Sequence, residues 1–257
     1  MLMEYLMQDE RIDEIGFGSL KLIQNPNEFC YGIDAVLLSH YAAKLSGKEN
    51  DESANAFDLG TSGGVIPLIL SAKTRWKSIQ GVELQKSAFD RAERNRKLNR
   101  LEERLSFINA DIKDYEVWGK EYKGQVDIVT TNPPYQKKGT GIINDTEEKV
   151  IARHETTADL ETFMKCSAYL LKEKGHLFMV HRPNRIVDIS EFGRKLRLEP
   201  KELIFVSPKP DTQPNIMVIH FVKGGGKDLK ILEPVIVHNN DDSFTETINN
   251  IYRGGEI

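Results

Sequence analysis

The chain carries Thr130-Thr131-Asn132-Pro133-Pro134-Tyr135 directly after the apolar run Val126-Asp127-Ile128-Val129. An amino nitrogen attached to a ring or a carbonyl has a delocalised lone pair and is a poor nucleophile. Hydrogen-bond acceptors placed around its protons favour a more tetrahedral, nucleophilic nitrogen as charge develops. The side-chain oxygen of Asn132 and the carbonyl of Pro133 could be such acceptors, and the two prolines would hold them rigid. Tyr135 could stack on a flat group. The plainer reading is a stiff turn that ends a strand, with Tyr135 covering the core edge.

A second group of residues could hold a nucleoside. Asp58-Leu59-Gly60-Thr61-Ser62-Gly63-Gly64 joins an apolar strand pattern to a helix pattern. Missing side chains in such a turn let backbone N–H groups and a helix N-terminus approach a ligand, although tight turns use glycine in any case. The next strand pattern ends in Gly81-Val82-Glu83, which places an acid where ribose hydroxyls could donate to it, or where it could cap the following helix. A third strand pattern leads to Asn109-Ala110-Asp111-Ile112, an acid beside an apolar residue, suited to a purine or to an ordinary turn. Three acids at three successive strand ends around one glycine turn favour a nucleoside site.

The elements that must position these residues alternate. Strands are expected at Ala56–Leu59, Ser78–Val82, Leu105–Ile108, Val126–Thr131 and Gly175–Val180, with helices at Val65–Ala72, Gln85–Leu98, Thr157–Leu171 and Arg182–Leu196 between or after them. An earlier helix begins near Ile33, with Asp34 as its expected cap, and residues 17–31 read as short strands and turns. Leu203–Val206 and Ile216–Val222 read as two strands joined by a proline-rich loop, hence an antiparallel end to the sheet. The pattern predicts an α/β fold, a Rossmann-like, doubly wound, mostly parallel seven-stranded sheet. Residues 1–31 would be a short N-terminal extension, 32–223 the main domain, and 224–257 a tail that could add an edge strand or a loosely attached helix. All the acids would then face one edge of the sheet, where open α/β folds bind ligands.

With 257 residues and 39% hydrophobic content the chain can bury a full core. The formal net charge of −4 gives no global basic field, so a nucleic-acid partner would need a local patch. Two cysteines, Cys30 and Cys166, cannot build a disulfide framework or a zinc site, and no His or Cys pair has metal-ligand spacing. The start is acidic after a few apolar residues and no run is long enough to span a membrane, so a cytoplasmic protein is expected.

Together these residues resemble the class I S-adenosylmethionine-dependent methyltransferases, with Asn132-Pro133-Pro134-Tyr135 marking the amino-methylating branch. Gly32-Ile33-Asp34-Ala35-Val36-Leu37-Leu38-Ser39-His40, Asp58-Leu59-Gly60-Thr61 and Pro208-Lys209-Pro210-Asp211 before Asn215 look like the bacterial tRNA1(Val) (adenine-N6-)-methyltransferase family. The resemblance implies S-adenosylmethionine as cofactor, with Asp58 and Gly60 at its methionine part, Glu83 at the ribose, and Asp111 with Ile112 at the adenine. Asp34, Thr61, Gly64, Leu84 and Asn132 would complete the cofactor contacts. Asn132, Pro133, Pro134 and Tyr135 would hold the target amino group. The family turn usually runs D-L-G-T-G-x-G, and Ser62 stands here at its middle glycine.

The motif leaves the substrate open between adenine in RNA or DNA and a protein glutamine. tRNA is the leading expectation, and a non-catalytic S-adenosylmethionine- and RNA-binding module is the reading from another class. Few residues precede the first helix, too few for the separate helical domain a glutamine methyltransferase would normally carry. For RNA contact, Arg182, Arg185, Arg194, Lys195 and Arg197 are favoured. The charged helix with Arg91, Arg94 and Arg96 reads instead as a solvated face. The Gln136–Gly141 loop could order around a flipped base. His154 reads as a loop histidine, and His40, His176 and His181 as packing residues.

Overall fold

A computed structural model describes residues 2–28, 30–133 and 160–253. Pro134, Tyr135, the Gln136–Gly141 loop and His154 lie outside the described residues. In chain order the elements are β1 (Arg11–Glu14), β2 (Lys21–Gln24), α1 (Ile33–Leu45), β3 (Asn55–Leu59), α2 (Val65–Lys73), β4 (Ser78–Glu83), α3 (Lys86–Leu98) and β5 (Leu105–Asn109). There follow α4 (Tyr115–Trp118), β6 (Val126–Thr131), α5 (Leu160–Leu170), β7 (Leu171–His181), α6 (Ile186–Lys195), β8 (Leu198–Ser207), β9 (Ile216–Lys223), β10 (Lys230–Ile231), β11 (Val235–Ile236) and α7 (Glu246–Arg253).

The main sheet runs β8-β9-β7-β6-β3-β4-β5, with β9 antiparallel to both its neighbours and the other pairings parallel. Two-residue strands β10 and β11 each add to β8 in parallel, so the tail extends that edge. Every residue of β6 is buried, as expected of a strand covered on both faces. One face carries α1, α2 and α7 over a core including Val36, Leu37, Ile69, Ile128 and Phe178. The other carries α5 and α6 over Phe57, Val129, Phe163, Met164 and Ile189. Helix α1 is buried on all sides from Asp34 to Ala43, which explains its mostly apolar sequence, with Asp34, Ser39 and His40 as buried polar residues.

Several boundaries differ from the sequence expectation. Helix α5 stops at Leu170 and β7 begins at once at Leu171, before the expected Gly175, because the first residues pair with the start of β6 across an irregular register. Strand β1 precedes the segment in which N-terminal strands were expected, and pairs with β2 as a separate hairpin. Helix α7 of the tail is not loosely attached. Ile248 and Ile251 of α7 are fully buried in the α1–α2 core, their spacing placing both on one helix face.

Helix α3 is the clearest correction. Its buried residues are Ala88, Arg91, Ala92 and Asn95, a helical stripe that includes a cation and an amide. Arg91 Nε meets Glu10 Oε1 at 3.1 Å and its other end meets Glu28 Oε2 at 2.9 Å. Arg94 holds Glu10 through two bonds of 2.5 and 2.7 Å. These arginines fasten the N-terminal segment to the domain rather than forming a solvated face. Asn95 accepts from the Ile23 N–H at 2.7 Å and donates to the Gly63 carbonyl at 2.9 Å, tying β2 to the glycine turn.

Candidate active site

Strand β3 has β4 on one side and β6 on the other, so the chain reverses its winding there and leaves a crevice at the carboxyl ends. Register aligns Leu59 with Val82 and Thr131, and Glu83 with Asn109. The acids at the ends of β3 and β4, and Asn132 after β6, therefore arrive at one edge.

The glycine turn is held from several directions. Gly60 and Thr61 donate to the Val82 carbonyl at 2.9 and 3.0 Å. Gly60 sits at φ +74° and Gly64 at φ +80°, a left-handed backbone that favours glycine. Gly64 has a second requirement, since a Cβ there would lie 2.8 Å from the Phe107 ring. Ser62 is also left-handed, at φ +49°, and this is the position at which the resembled family turn carries glycine. A carboxylate secures it: Glu83 Oε2 accepts from the Ser62 N–H at 2.8 Å. Glu83 Oε1 accepts from the Gln85 N–H at 2.8 Å, where Gln85 is the N-cap of α3. Glu83 thus braces the turn and caps the helix together. Burial raises its pKa against those backbone hydrogen bonds.

Asp58 is fully buried. Thr130 Oγ1 donates to its Oδ1 at 2.8 Å, whereas Asp58 Oδ2 and the nearby buried Thr61 Oγ1 form no hydrogen bond within normal geometry. Burial pushes this carboxyl from 3.8 up to about 7, against the opposing pull of the Thr61 and Thr130 hydroxyls. Thr131 Oγ1 donates to the Leu59 carbonyl at 3.0 Å, which locks the end of β6 to β3.

Asn132 follows directly and is partly buried, while Pro133 is buried. Asn132 Nδ2 donates to Asp34 Oδ2 at 2.9 Å. Asp34 is therefore not the cap of α1, whose N-cap is Gly32; its carboxylate turns towards the end of β6. At the other end of the edge, Asp111 Oδ1 accepts from the Lys113 N–H at 2.9 Å and caps a short turn. Ile112 is packed in the core with Phe163, whereas Leu84 is 41% exposed. Asn109 Nδ2 donates to the Glu83 and Leu84 carbonyls at 2.8 and 3.0 Å, linking β5 to this edge. Beside the turn, a cavity of about 40 Å³ is lined by Gln24, Tyr31, Ser62, Gly63 and Arg91.

Sequence reasoning missed Thr130, Asn95, Phe107 and Asn109. Asn95 had a signal, since it occupies the stripe begun by Ala88 and Ala92, but the other three had none beyond ordinary strand composition. The arginines favoured for RNA contact are largely paired: Arg185 with Asp188 at 2.7 Å, Arg194 with Glu199 at 3.3 Å and Arg197 with Glu173 at 2.9 Å.

The sequence profile described as methyltransferase small domain matches residues 20–189, which include α1, the glycine turn and Asn132. The chain belongs to the methyltransferase small domain family. Among curated relatives of this methyltransferase domain, a tRNA1(Val) (adenine(37)-N6)-methyltransferase of Porphyromonas gingivalis is 26% identical, over 79% of this chain and 78% of its own. One of the same description from Escherichia fergusonii is 25% identical over 84% and 83%. Solved structures share the methyltransferase fold. A predicted O-methyltransferase of Agrobacterium tumefaciens has TM-score 0.67 and 20% identity, covering 86% of this chain and 96% of that one. TYW2 of M. jannaschii, in complex with AdoMet, has TM-score 0.55 and 16% identity, covering 85% and 87%.

Proposed function

We propose that this chain transfers a methyl group from S-adenosylmethionine to N6 of an adenine in tRNA. The observation that carries the reading is Asn132-Pro133 at the end of β6, next to the glycine turn after β3, at the point where the winding of the sheet reverses. The names of the curated relatives support tRNA as the substrate class.

The residues present fit the cofactor. Asp58 Oδ2 and Thr61 Oγ1 are buried and unpaired at the turn, and a cationic ligand nearby would favour the ionised form of a carboxyl that burial otherwise pushes up. Asp58 with Gly60, Thr61 and Gly64 would hold the methionine part. Glu83 already accepts two backbone N–H bonds, and a carboxylate has about four lone-pair sites, so ribose hydroxyls can still donate to it. Leu84, exposed beside Glu83, offers an apolar face to the adenine, with Asp111 as a polar partner. When bound, the cofactor supplies an electrophilic methyl on a sulfonium that becomes neutral on transfer. Asn132 Oδ1 and the Pro133 carbonyl would accept from the target amino group, and the buried Pro133 keeps them from reorganising. Pro134 and Tyr135 would complete the clamp and stack on the base. No strong base is needed at attack, because proton loss can follow transfer.

The test is tritiated methyl transfer to bulk tRNA from cells lacking this protein, with nucleoside analysis. Labelled N6-methyladenosine is expected, and Asn132→Ala should lower the rate by about 10²- to 10³-fold while leaving cofactor binding in place. Label in DNA or protein but not in tRNA would reject the substrate, and undiminished transfer by Asn132→Ala would reject the clamp.

A further inference from the structure

We infer that Asp34 is the positioning residue of the amino-group clamp: it orients the Asn132 amide and sharpens its oxygen as an acceptor. The inference rests on the methyl-transfer reading of the site. An amide can turn either end towards a substrate amine, and only the oxygen end helps. With Nδ2 donating to Asp34 Oδ2 at 2.9 Å, the opposite end of the Asn132 amide is its oxygen. The bond joins residues 98 apart, linking the first turn of α1 to the end of β6.

The carboxylate is itself fixed. Asp34 is 8% exposed, and its Oδ1 accepts from the Ala35 N–H at 3.0 Å. Gly32 makes room for it, since a Cβ there would come within 2.9 Å of Asp34 Oδ1. On the far side, Thr131 is tied to Leu59, so both partners of the bond stand on rigid elements. A hydrogen bond to an ionised acceptor is stronger than a neutral one and polarises the donor. Electron density drawn away from the N–H collects on Oδ1, the atom that must stabilise positive charge as the target nitrogen is methylated. Asp34 touches neither substrate nor transferring methyl in this role. It differs from a cofactor contact, which would act on affinity.

The experiment compares wild type, Asp34→Ala and Asp34→Asn by three readouts: kcat for tRNA methylation, calorimetric Kd for S-adenosylhomocysteine, and the side-chain amide resonances of Asn132 in 15N-labelled protein, assigned by their loss in Asn132→Asp. Asp34→Ala should shift or broaden the Asn132 amide signals and lower kcat by about ten- to a hundredfold, with Kd within twofold of wild type. Asp34→Asn, which keeps an acceptor but loses the charge, should fall between the two, and guards against loss of fold in the alanine variant. Unchanged Asn132 resonances in Asp34→Ala would overturn the inference, as would equal losses of Kd in both variants, the mark of a cofactor contact. If wild type methylates no nucleic acid but its Asn132 signals respond to Asp34, the substrate reading fails and the positioning bond stands.

Discussion

Replacing Asp58 with asparagine should make the protein more stable at neutral pH and poorer at its task. The carboxyl is fully buried, and burial lifts it from 3.8 to about 7. Because the folded value is the higher one, folding is favoured by this group most fully below 3.8, and that contribution disappears as pH rises through about 7. The gap, 7 − 3.8, is about 3 pH units, or about 4 kcal/mol at 1.36 kcal/mol per unit. Asparagine keeps an oxygen for the Thr130 hydroxyl and carries no charge to desolvate. Urea unfolding of both proteins from pH 4 to pH 8 is the assay. The two should be nearly equal at pH 4, with the variant gaining steadily to at most about 4 kcal/mol by pH 8. Groups remote from Asp58 titrate alike in both proteins and cancel in the difference, whereas Glu83, whose charge helps raise Asp58, contributes to it. If Asp58 also faces the cationic cofactor, the variant should bind S-adenosylmethionine more weakly at pH 8 despite its higher stability. A stability difference that does not change with pH would refute the assigned burial penalty.

Ser62→Gly should be neutral or stabilising by up to about 1 kcal/mol, since relief of the left-handed strain outweighs the extra freedom of glycine in the unfolded chain. Ser62→Val, a β-branched residue at φ +49°, should lower the thermal midpoint clearly, and an unchanged midpoint would contradict the backbone assignment. Asn95→Ala strands the Ile23 N–H and the Ile23 and Gly63 carbonyls, and should cost about 3 kcal/mol in urea unfolding. It should also weaken cofactor affinity by loosening the turn at Gly63, and a cost under about 1 kcal/mol would show that water replaces the amide. Ile248→Ala should cost about 2–4 kcal/mol, because α7 is part of the core, and a negligible change would show that the tail is dispensable for stability.

Local pattern by itself determined the alternation of strands and helices, the glycine turn after β3, the acids at the ends of β4 and β5, and the proline-stiffened exit from β6. Each depends on residues close in the chain: alternation and helical spacing set the elements, and the order of strands brings their carboxyl ends to one edge. Tertiary structure alone decided what the polar side chains do there. Glu83 reaches back to Ser62, Thr130 crosses to Asp58, and Asp34 crosses to Asn132, pairings between strands or between a helix and a strand that no periodicity encodes. The charged helix α3 misled for the same reason. Arg91 and Arg94 look solvated until Glu10 and Glu28 are brought against them, and only then does burying a cation become favourable.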